Sequence, residues 1–177
     1  GGGSFEVAVG EAGHIRYATS APVGATRLRG ELGVGDVLGE AGVRAVQQRT
    51  AGVLDEIAGA LARYKGVARR TVVSGGTARA LARLATARTR EDGAGMTGGV
   101  NQVELPAEQV AHMVALLCGL TLKQRLALPG MPPRRAAMIP VGAAILSTLA
   151  SVLGVERYVV SEWGLREGAI LDALGSF

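Results

Sequence analysis

The first six residues carry the groups best suited to chemistry on an anion. Gly1, Gly2 and Gly3 are followed at once by Ser4 and, two residues on, by Glu6. Successive glycines allow the backbone to turn several N–H groups toward one point, which makes an anion-binding nest. The hydroxyl and the carboxylate share one side of the strand that follows, because side chains alternate along a strand. The stretch therefore predicts a phosphate site beside a metal or water ligand.

This opening stretch also has plainer interpretations. Gly-Gly-Gly-Ser is a common flexible linker sequence, and an exposed strand carboxylate such as Glu6 is often simply solvated. The loop runs directly into the alternating stretch Phe5–Glu11, which ends at an Ala-Gly turn before a second strand, His14–Ala18. Because linkers do not lead straight into a hairpin, the continuation favours a structured loop.

A second glycine motif, Ser-Gly-Gly-Thr at 74–77, lies between the short apolar strand Thr71–Val73 and a helix. The first turn of a helix exposes unpaired N–H groups with a partial positive charge, which suits phosphate. The same motif is also an ordinary turn with a threonine N-cap. We expect Gly75, Gly76 and Thr77 to bind phosphate.

The basic and metal-binding side chains give weaker signals. Arg27 suits phosphate oxygens because of its forked guanidinium, and it is equally a surface charge. Arg134 and Arg135 precede a long apolar run and are interpreted as an exposed basic turn. The two histidines stand alone, and the single cysteine, Cys118, is interpreted as a buried structural thiol.

The spacing of apolar residues orders the elements around these motifs. A hairpin and a third short strand at Ala25–Leu28 come first, followed by an amphipathic helix within 42–64. The predicted order then continues with a strand at 71–73 and its helix, a glycine-rich loop at 93–99, helices from 105 and 121, a long apolar helix within 136–155, a strand at 157–161 and a helix at 164–174. This order predicts one α/β domain over 1–177, with a mixed five-stranded sheet, flanking helices and a helical insertion.

Composition narrows the class of protein. Hydrophobic residues make up 48% of the chain and aromatic residues only 3%, so the core must be aliphatic. The net charge of +4 permits polyanionic ligands without demanding them. The run from Ala136 to Val155 has no charged residue but contains Pro140, Gly142 and several hydroxyl groups, so we expect a buried helix and no membrane span. We expect a cytoplasmic protein that binds neither membrane nor nucleic acid.

Several motifs together resemble one known family. The stretch Gly1–Gly13 is similar to the second phosphate-loop motif of the exopolyphosphatase / guanosine pentaphosphate phosphohydrolase family. Similar motifs follow in the family's order at 21–28, 74–77, 128–130 and 142–143, and as Ser-x-x-Gly-Leu-Arg-Glu-Gly at 161–168. Two positions depart from the pattern, since Phe5 stands where the family has threonine and Ala137 stands where it has aspartate.

The resemblance implies a ribonuclease H-like domain of the sugar kinase/actin superfamily. The chain is then expected to be the second half of a two-domain actin-like phosphatase module, whose first half lies outside these 177 residues. The implied reaction is Mg²⁺-dependent release of terminal orthophosphate from inorganic polyphosphate. Glu6 is expected to be catalytic and a metal ligand, and the expected phosphate-binding residues are Gly1, Gly2, Gly3, Ser4, Arg27, Gly75, Gly76 and Thr77.

Other functions remain open at this point. The sister activity removes the 5′ phosphate of guanosine pentaphosphate at the same kind of site. A non-catalytic phosphate-sensing or interaction domain, in which Phe5 and Ala137 mark lost chemistry, belongs to another class. The expected partners are the first domain of the same protein and, as an open possibility, a second copy of the chain.

Overall fold

The structure is a computed structural model that describes residues 2–64, 70–89 and 99–175. Strands and helices alternate along these ranges, and the loop expected at 93–99 lies outside them except for its last residue. The strands are β1 (Phe5–Glu11), β2 (His14–Ala21), β3 (Thr71–Ser74), β4 (Glu104–Pro106) and β5 (Arg157–Ser161). The α-helices are α1 (Ala25–Leu32), α2 (Gly39–Leu61), α3 (Gly76–Thr89), α4 (Ala107–Cys118), α5 (Leu122–Leu126), α6 (Ile139–Leu153) and α7 (Leu165–Ala173), with short 3₁₀ helices at Ala62–Tyr64 and Pro133–Arg135.

The five strands form two sheets within the described residues. β1 and β2 make the expected antiparallel hairpin, in which Phe5 pairs with Ala21. In the second sheet the order is β3-β5-β4, with β3 parallel and β4 antiparallel to β5. The mixed α/β class is therefore confirmed, but the single five-stranded sheet is wrong in detail, because the described strands of the hairpin do not pair with β3.

The third strand predicted at Ala25–Leu28 is wrong, since these residues begin helix α1. Ala25 and Leu28 are both buried, and their spacing of three places them on one helical face. A window of four residues cannot distinguish a short strand from a helical turn. The fifth strand is instead β4, at residues where we expected only the start of a helix.

Helix α6 is the centre of the core. Ten of its residues are buried, and α2 and α4 pack against it, with α1 and α3 at its sides. Leucine, valine, isoleucine and alanine supply nearly all of this packing, as the composition predicted. The interpretation of the apolar run as a buried helix is confirmed, and the described helices include no segment with the length and hydropathy needed to cross a bilayer.

The parallel pair of β3 and β5 fixes where the site-bearing turns emerge. Ser74 pairs with Ser161, so the two strands end at the same edge of the sheet. Gly75 then turns the chain into α3 with a φ of +105°, a conformation that favours glycine. At the end of β5, Glu167 accepts a hydrogen bond of 2.7 Å from the N–H of Gly164 and caps α7. That N–H holds the pKa of the Glu167 carboxyl below its ordinary value.

A fully buried arginine joins the loop before α2 to the segments on either side of α5. Arg125 on α5 is 0% exposed, and its Nε donates to the carbonyl oxygen of Ala136 at 2.7 Å. Its other nitrogens donate to the carbonyl oxygens of Asp36 and Leu120 and, at 2.7 Å, to Oδ1 of Asp36. Each contact satisfies a donor that would otherwise be buried without a partner.

Asp36 completes this cluster from the loop between α1 and α2. Its carboxylate accepts the N–H of Leu122 at 2.8 Å, which ties the loop to the first turn of α5. The N–H of Leu122 is the main cause that lowers the pKa of Asp36, and the Arg125 guanidinium lowers it further. The carboxylate therefore stays ionised opposite the buried cation.

Replacing the buried arginine tests how much this cluster stabilises the fold. Arg125→Met keeps the apolar stem but leaves three carbonyl groups and a carboxylate without their donor. We expect the free energy of unfolding to fall by about 3–5 kcal/mol, measured by urea denaturation. Lys123→Met, on the exposed side of the same helix, is the control and should change stability by no more than about 0.5 kcal/mol. Equal urea midpoints for Arg125→Met and Lys123→Met would contradict a stabilising role for the Arg125 cluster.

Candidate functional site

The glycine loop at the start of the chain is held by helix α1. The N–H of Arg27 donates to the carbonyl oxygen of Gly2 at 2.9 Å, and its Nε donates to that of Gly3 at 3.0 Å. The Arg27 guanidinium also lies 3.6 Å from the Glu31 carboxylate. Arg27 thus supports the loop from outside, and the phosphate contact expected of it stays a prediction. Gly1 lies outside the described residues.

The residue before α1 allows the loop to approach this closely. A Cβ at Gly24 would lie 2.6 Å from the carbonyl oxygen of Gly2 and 2.8 Å from the carbonyl carbon of Gly3. Real Cβ atoms do not approach backbone so closely, so any larger residue at 24 must push the loop away. The resemblance at 21–28 included this glycine, and its structural reason is contact between two loops.

Ser4 and Glu6 form a polar cluster with Ser20 on the hairpin. The Ser4 hydroxyl donates to Oε1 of Glu6 at 2.7 Å, so the two lie on one side as expected. Ser20, which pairs with Glu6 across the ladder, donates to the same oxygen at 3.3 Å. All the hydrogen bonds to Glu6 from described side chains go to Oε1. The Glu6 side chain is exposed.

A small cleft of about 30 Å³ brings the two glycine motifs together. The first motif contributes Gly2, and the second contributes Gly76 and Thr77. The remaining lining residues are Ala25, Thr26, Arg135, Met138 and Ile139. Helices α1 and α3 both begin at this cleft, so the positive ends of two helix dipoles lie beside it, although the N–H of Arg27 in the first turn of α1 already donates to the Gly2 carbonyl oxygen.

Arg135, which we interpreted from the sequence only as part of an exposed basic turn, lines the cleft. It is exposed on the 3₁₀ helix Pro133–Arg135, as a basic turn should be, but its guanidinium lies against the Gly76 backbone at the start of α3. A Cβ at Gly76 would overlap the guanidinium, so glycine is what allows this contact. Among the described residues it makes no hydrogen bond or ion pair through its side chain. The pair of arginines next to Ala137 was the available signal, but sequence does not tell which of them turns inward.

The structure thus separates the predicted residues into two groups. Gly2, Gly76 and Thr77 line the cleft, whereas Gly3, Ser4 and Glu6 continue along the loop and hairpin beyond it. Gly75 provides the turn into α3 and does not line the cleft. The described ranges contain no group of three or more histidine, cysteine, aspartate or glutamate side chains able to hold a metal, so the metal-binding role expected of Glu6 stays a prediction.

Comparison with known sequences places these motifs in context. The model of the Ppx/GppA phosphatase family matches residues 1–177. The chain is 31% identical over 182 residues to exopolyphosphatase 1 of Mycobacterium tuberculosis, covering 99% of this chain and 49% of that protein. It is 30% identical over 178 residues to the guanosine-5′-triphosphate,3′-diphosphate pyrophosphatase of Aeromonas hydrophila, covering 99% of this chain and 33% of that protein. The chain therefore spans half or less of the length of these two relatives.

Solved structures share the fold. An exopolyphosphatase from Cytophaga hutchinsonii superposes with a TM-score of 0.85 at 23% identity, covering 99% of this chain and 55% of that one. The Aquifex aeolicus member of the Ppx/GppA family superposes with a TM-score of 0.80 at 21% identity, covering 99% and 54%. These similarities confirm the predicted actin-like, ribonuclease H-like fold class.

The contact between Gly24 and the glycine loop can be tested by adding one methyl group. Gly24→Ala should lower the free energy of unfolding by about 1–3 kcal/mol, because the new Cβ must displace the backbone of Gly2 and Gly3. Gly30→Ala, in open space within α1, is the matched control and should stabilise the protein by about 0.5–1 kcal/mol. Thermal or urea unfolding measures both, and a neutral Gly24→Ala would disprove the close contact.

Proposed function

The chain belongs to the Ppx/GppA phosphatase family, and on that basis we propose that it is a phosphohydrolase domain acting on inorganic polyphosphate. In this proposal the cleft holds the terminal phosphate while water attacks its phosphorus atom. The anhydride bond to the neighbouring phosphate breaks, and orthophosphate and a polyphosphate shorter by one unit are released. The observation that carries the proposal is the meeting of Gly2, Gly76 and Arg135 in one small cleft. Two motifs separated by more than seventy positions in the sequence supply its opposite sides.

The electrostatics of the cleft favour a phosphate group. Helices α1 and α3 present the positive ends of their dipoles, and their first N–H groups have no partners within the helix. Arg135 adds a full positive charge and a planar fork of donors that matches phosphate oxygens. A phosphate held there would be bound by main-chain groups and by one cation, which is the usual composition of a phosphate site.

Glu6 fits the remaining chemical need, a group that holds Mg²⁺ or orients the attacking water. The hydroxyls of Ser4 and Ser20 both donate to its Oε1, and no described side chain donates to its Oε2. Magnesium typically binds proteins through one or two carboxylates and takes its other ligands from water and substrate phosphates. A bound Mg²⁺ would neutralise charge that develops on the phosphate oxygens. Further acid–base groups are proposed to come from a companion domain, since the relatives are two to three times as long.

The names of the similar proteins favour polyphosphate over guanosine pentaphosphate, since a curated relative and a solved structure are both named exopolyphosphatases. The cleft itself does not separate the two substrates, because both present a terminal phosphate. Phe5, which replaces the family's threonine, packs against the hydrophobic core. Guanosine pentaphosphate remains the second candidate because it presents the same kind of terminal phosphate, and a relative is named for that activity.

Hydrolysis by the full-length protein tests the proposed role of Glu6. We expect Mg²⁺-dependent orthophosphate release to be faster from polyphosphate than from guanosine pentaphosphate. Glu6→Gln should lower kcat by about 100-fold or more while phosphate binding persists, because the carboxylate acts on water or metal. Glu11→Gln removes an exposed carboxylate from the same strand and should leave kcat unchanged.

The outcomes of this experiment separate the candidates. A preference for guanosine pentaphosphate would select the sister activity. Tight Mg²⁺-phosphate binding without turnover of either substrate would make the domain a sensor. Full activity in Glu6→Gln would remove Glu6 from the proposal.

A substitution at Gly76 tests the phosphate seat itself. In Gly76→Ala the new Cβ must displace the exposed Arg135 guanidinium, which can move at little cost to stability. We expect the affinity for tripolyphosphate, measured by calorimetry, to fall about tenfold while the unfolding midpoint changes little. Gly52→Ala, in open space on α2, should preserve the affinity. Unchanged binding by Gly76→Ala would place the phosphate somewhere other than this cleft.

A further inference from the structure

A second arginine beside the cleft takes no part in lining it. Arg29, on α1, is half-buried, and its Nη1 donates to the carbonyl oxygen of Ala137 at 2.9 Å. No described carboxylate forms an ion pair with it, although the charge of Asp36 is close enough for Arg29 to lower the pKa of that group slightly. The guanidinium thus binds a main-chain oxygen two residues beyond Arg135.

The carbonyl oxygens of three consecutive residues, starting at Arg135, all accept hydrogen bonds. Arg125 binds the carbonyl oxygen of Ala136 from the interior, and Arg29 binds that of Ala137 from α1. The carbonyl oxygen of Arg135 itself accepts the N–H of Met138 at 2.9 Å. These three hydrogen bonds leave the backbone at 135–138 little freedom to rotate. The base of the Arg135 side chain is therefore fixed even though its guanidinium is exposed.

The bond from Arg29 joins the two sides of the cleft. One side consists of α1 and the glycine loop, because Thr26 lines the cleft and Arg27 holds the carbonyl groups of Gly2 and Gly3. The other side consists of Arg135, Met138 and the start of α6. The other direct polar contact described between them is a long one, from the Thr26 hydroxyl to the Met138 sulfur at 4.0 Å. Arg29 therefore makes the shorter of the two described polar contacts between the two sides.

We propose that Arg29 is a positioning residue that sets the distance between the glycine loop and Arg135, and so tunes phosphate affinity without touching the phosphate. This inference rests on the proposed function of the cleft. The anchor at residue 137 is a main-chain oxygen, and an arginine on α1 holds it.

A double-mutant cycle in the full-length protein tests this role. Arg29→Met and Arg29→Gln remove the long donor, and tripolyphosphate binding is measured by calorimetry in Mg²⁺. We expect Arg135→Met to lower the affinity about tenfold or more, because a charged hydrogen bond to the ligand is lost. Each Arg29 variant should lower it about three- to tenfold. Arg44→Met, which removes one exposed positive charge from α2, should bind like the wild type.

The decisive comparison is the double variant. If Arg29 acts through Arg135, then adding Arg29→Met to Arg135→Met should reduce affinity no further, because there is no guanidinium left to position. Additive losses in the double variant would show a general structural effect and overturn the inference. Wild-type affinity in a folded Arg29 variant would also overturn the inference about Arg29. The proposal that the cleft binds phosphate would still stand. Wild-type affinity in Arg135→Met would instead remove Arg135 from the proposed site.

Arg29→Lys supplies a rescue, since it restores one charged donor on a shorter side chain. We expect its affinity to lie within about threefold of the wild type. If Arg29→Met and Arg29→Gln both fail to fold, the test uses Arg29→Lys alone and in combination with Arg135→Met. An Arg29→Lys protein that is folded, and whose loss of affinity adds fully to that of Arg135→Met, would contradict positioning.

Discussion

The buried guanidinium of Arg125 is the constraint on which the arrangement of the site depends. A cation that is 0% exposed must have every donor satisfied, and Arg125 takes its acceptors from Asp36, Leu120 and Ala136. Three loops are consequently held at fixed positions around α5. One of them leads directly into α6 and carries Arg135. The position of an exposed site residue is thus set by a charge in the interior.

The second constraint is the contact between two glycine-containing loops. Because Gly24 has no side chain, the backbone of Gly2 and Gly3 packs directly on the backbone of Gly24. Arg27 then forms hydrogen bonds to the carbonyl oxygens of Gly2 and Gly3 and so joins the loop to α1. The consequence is that the glycine loop and the first turn of α1 form one rigid side of the cleft. Gly76 has the same function on the opposite side, where it gives space to the Arg135 guanidinium. Glycine at these two positions makes room for a neighbouring backbone segment and for a guanidinium.

These contacts show how the arginines around the proposed phosphate site are used. The cleft does not gather many arginines, since Arg27, Arg29 and Arg125 all bind main-chain oxygens. Their charges fix the backbone, and the helix starts together with Arg135 remain directed at the cleft. A preorganised set of donors of this kind loses little conformational entropy when an anion binds.

Local pattern was enough to predict the hairpin, the buried helix α6, the turn into α3 and the same-sided placement of Ser4 and Glu6, because each depends on residues close together in sequence. The same local reasoning failed at Ala25–Leu28, where the burial of Leu28 against distant residues selects a helix. It also could not assign roles to the arginines. The letter in the sequence is the same whether an arginine is buried, supports a loop or faces a ligand. Which acceptors each arginine meets is decided only when residues far apart in the chain come into contact. Sequence by itself therefore determined the family, the class of fold and the motifs of the site, and tertiary structure decided which of those residues meet, because burial and hydrogen-bond satisfaction are properties of the packed chain.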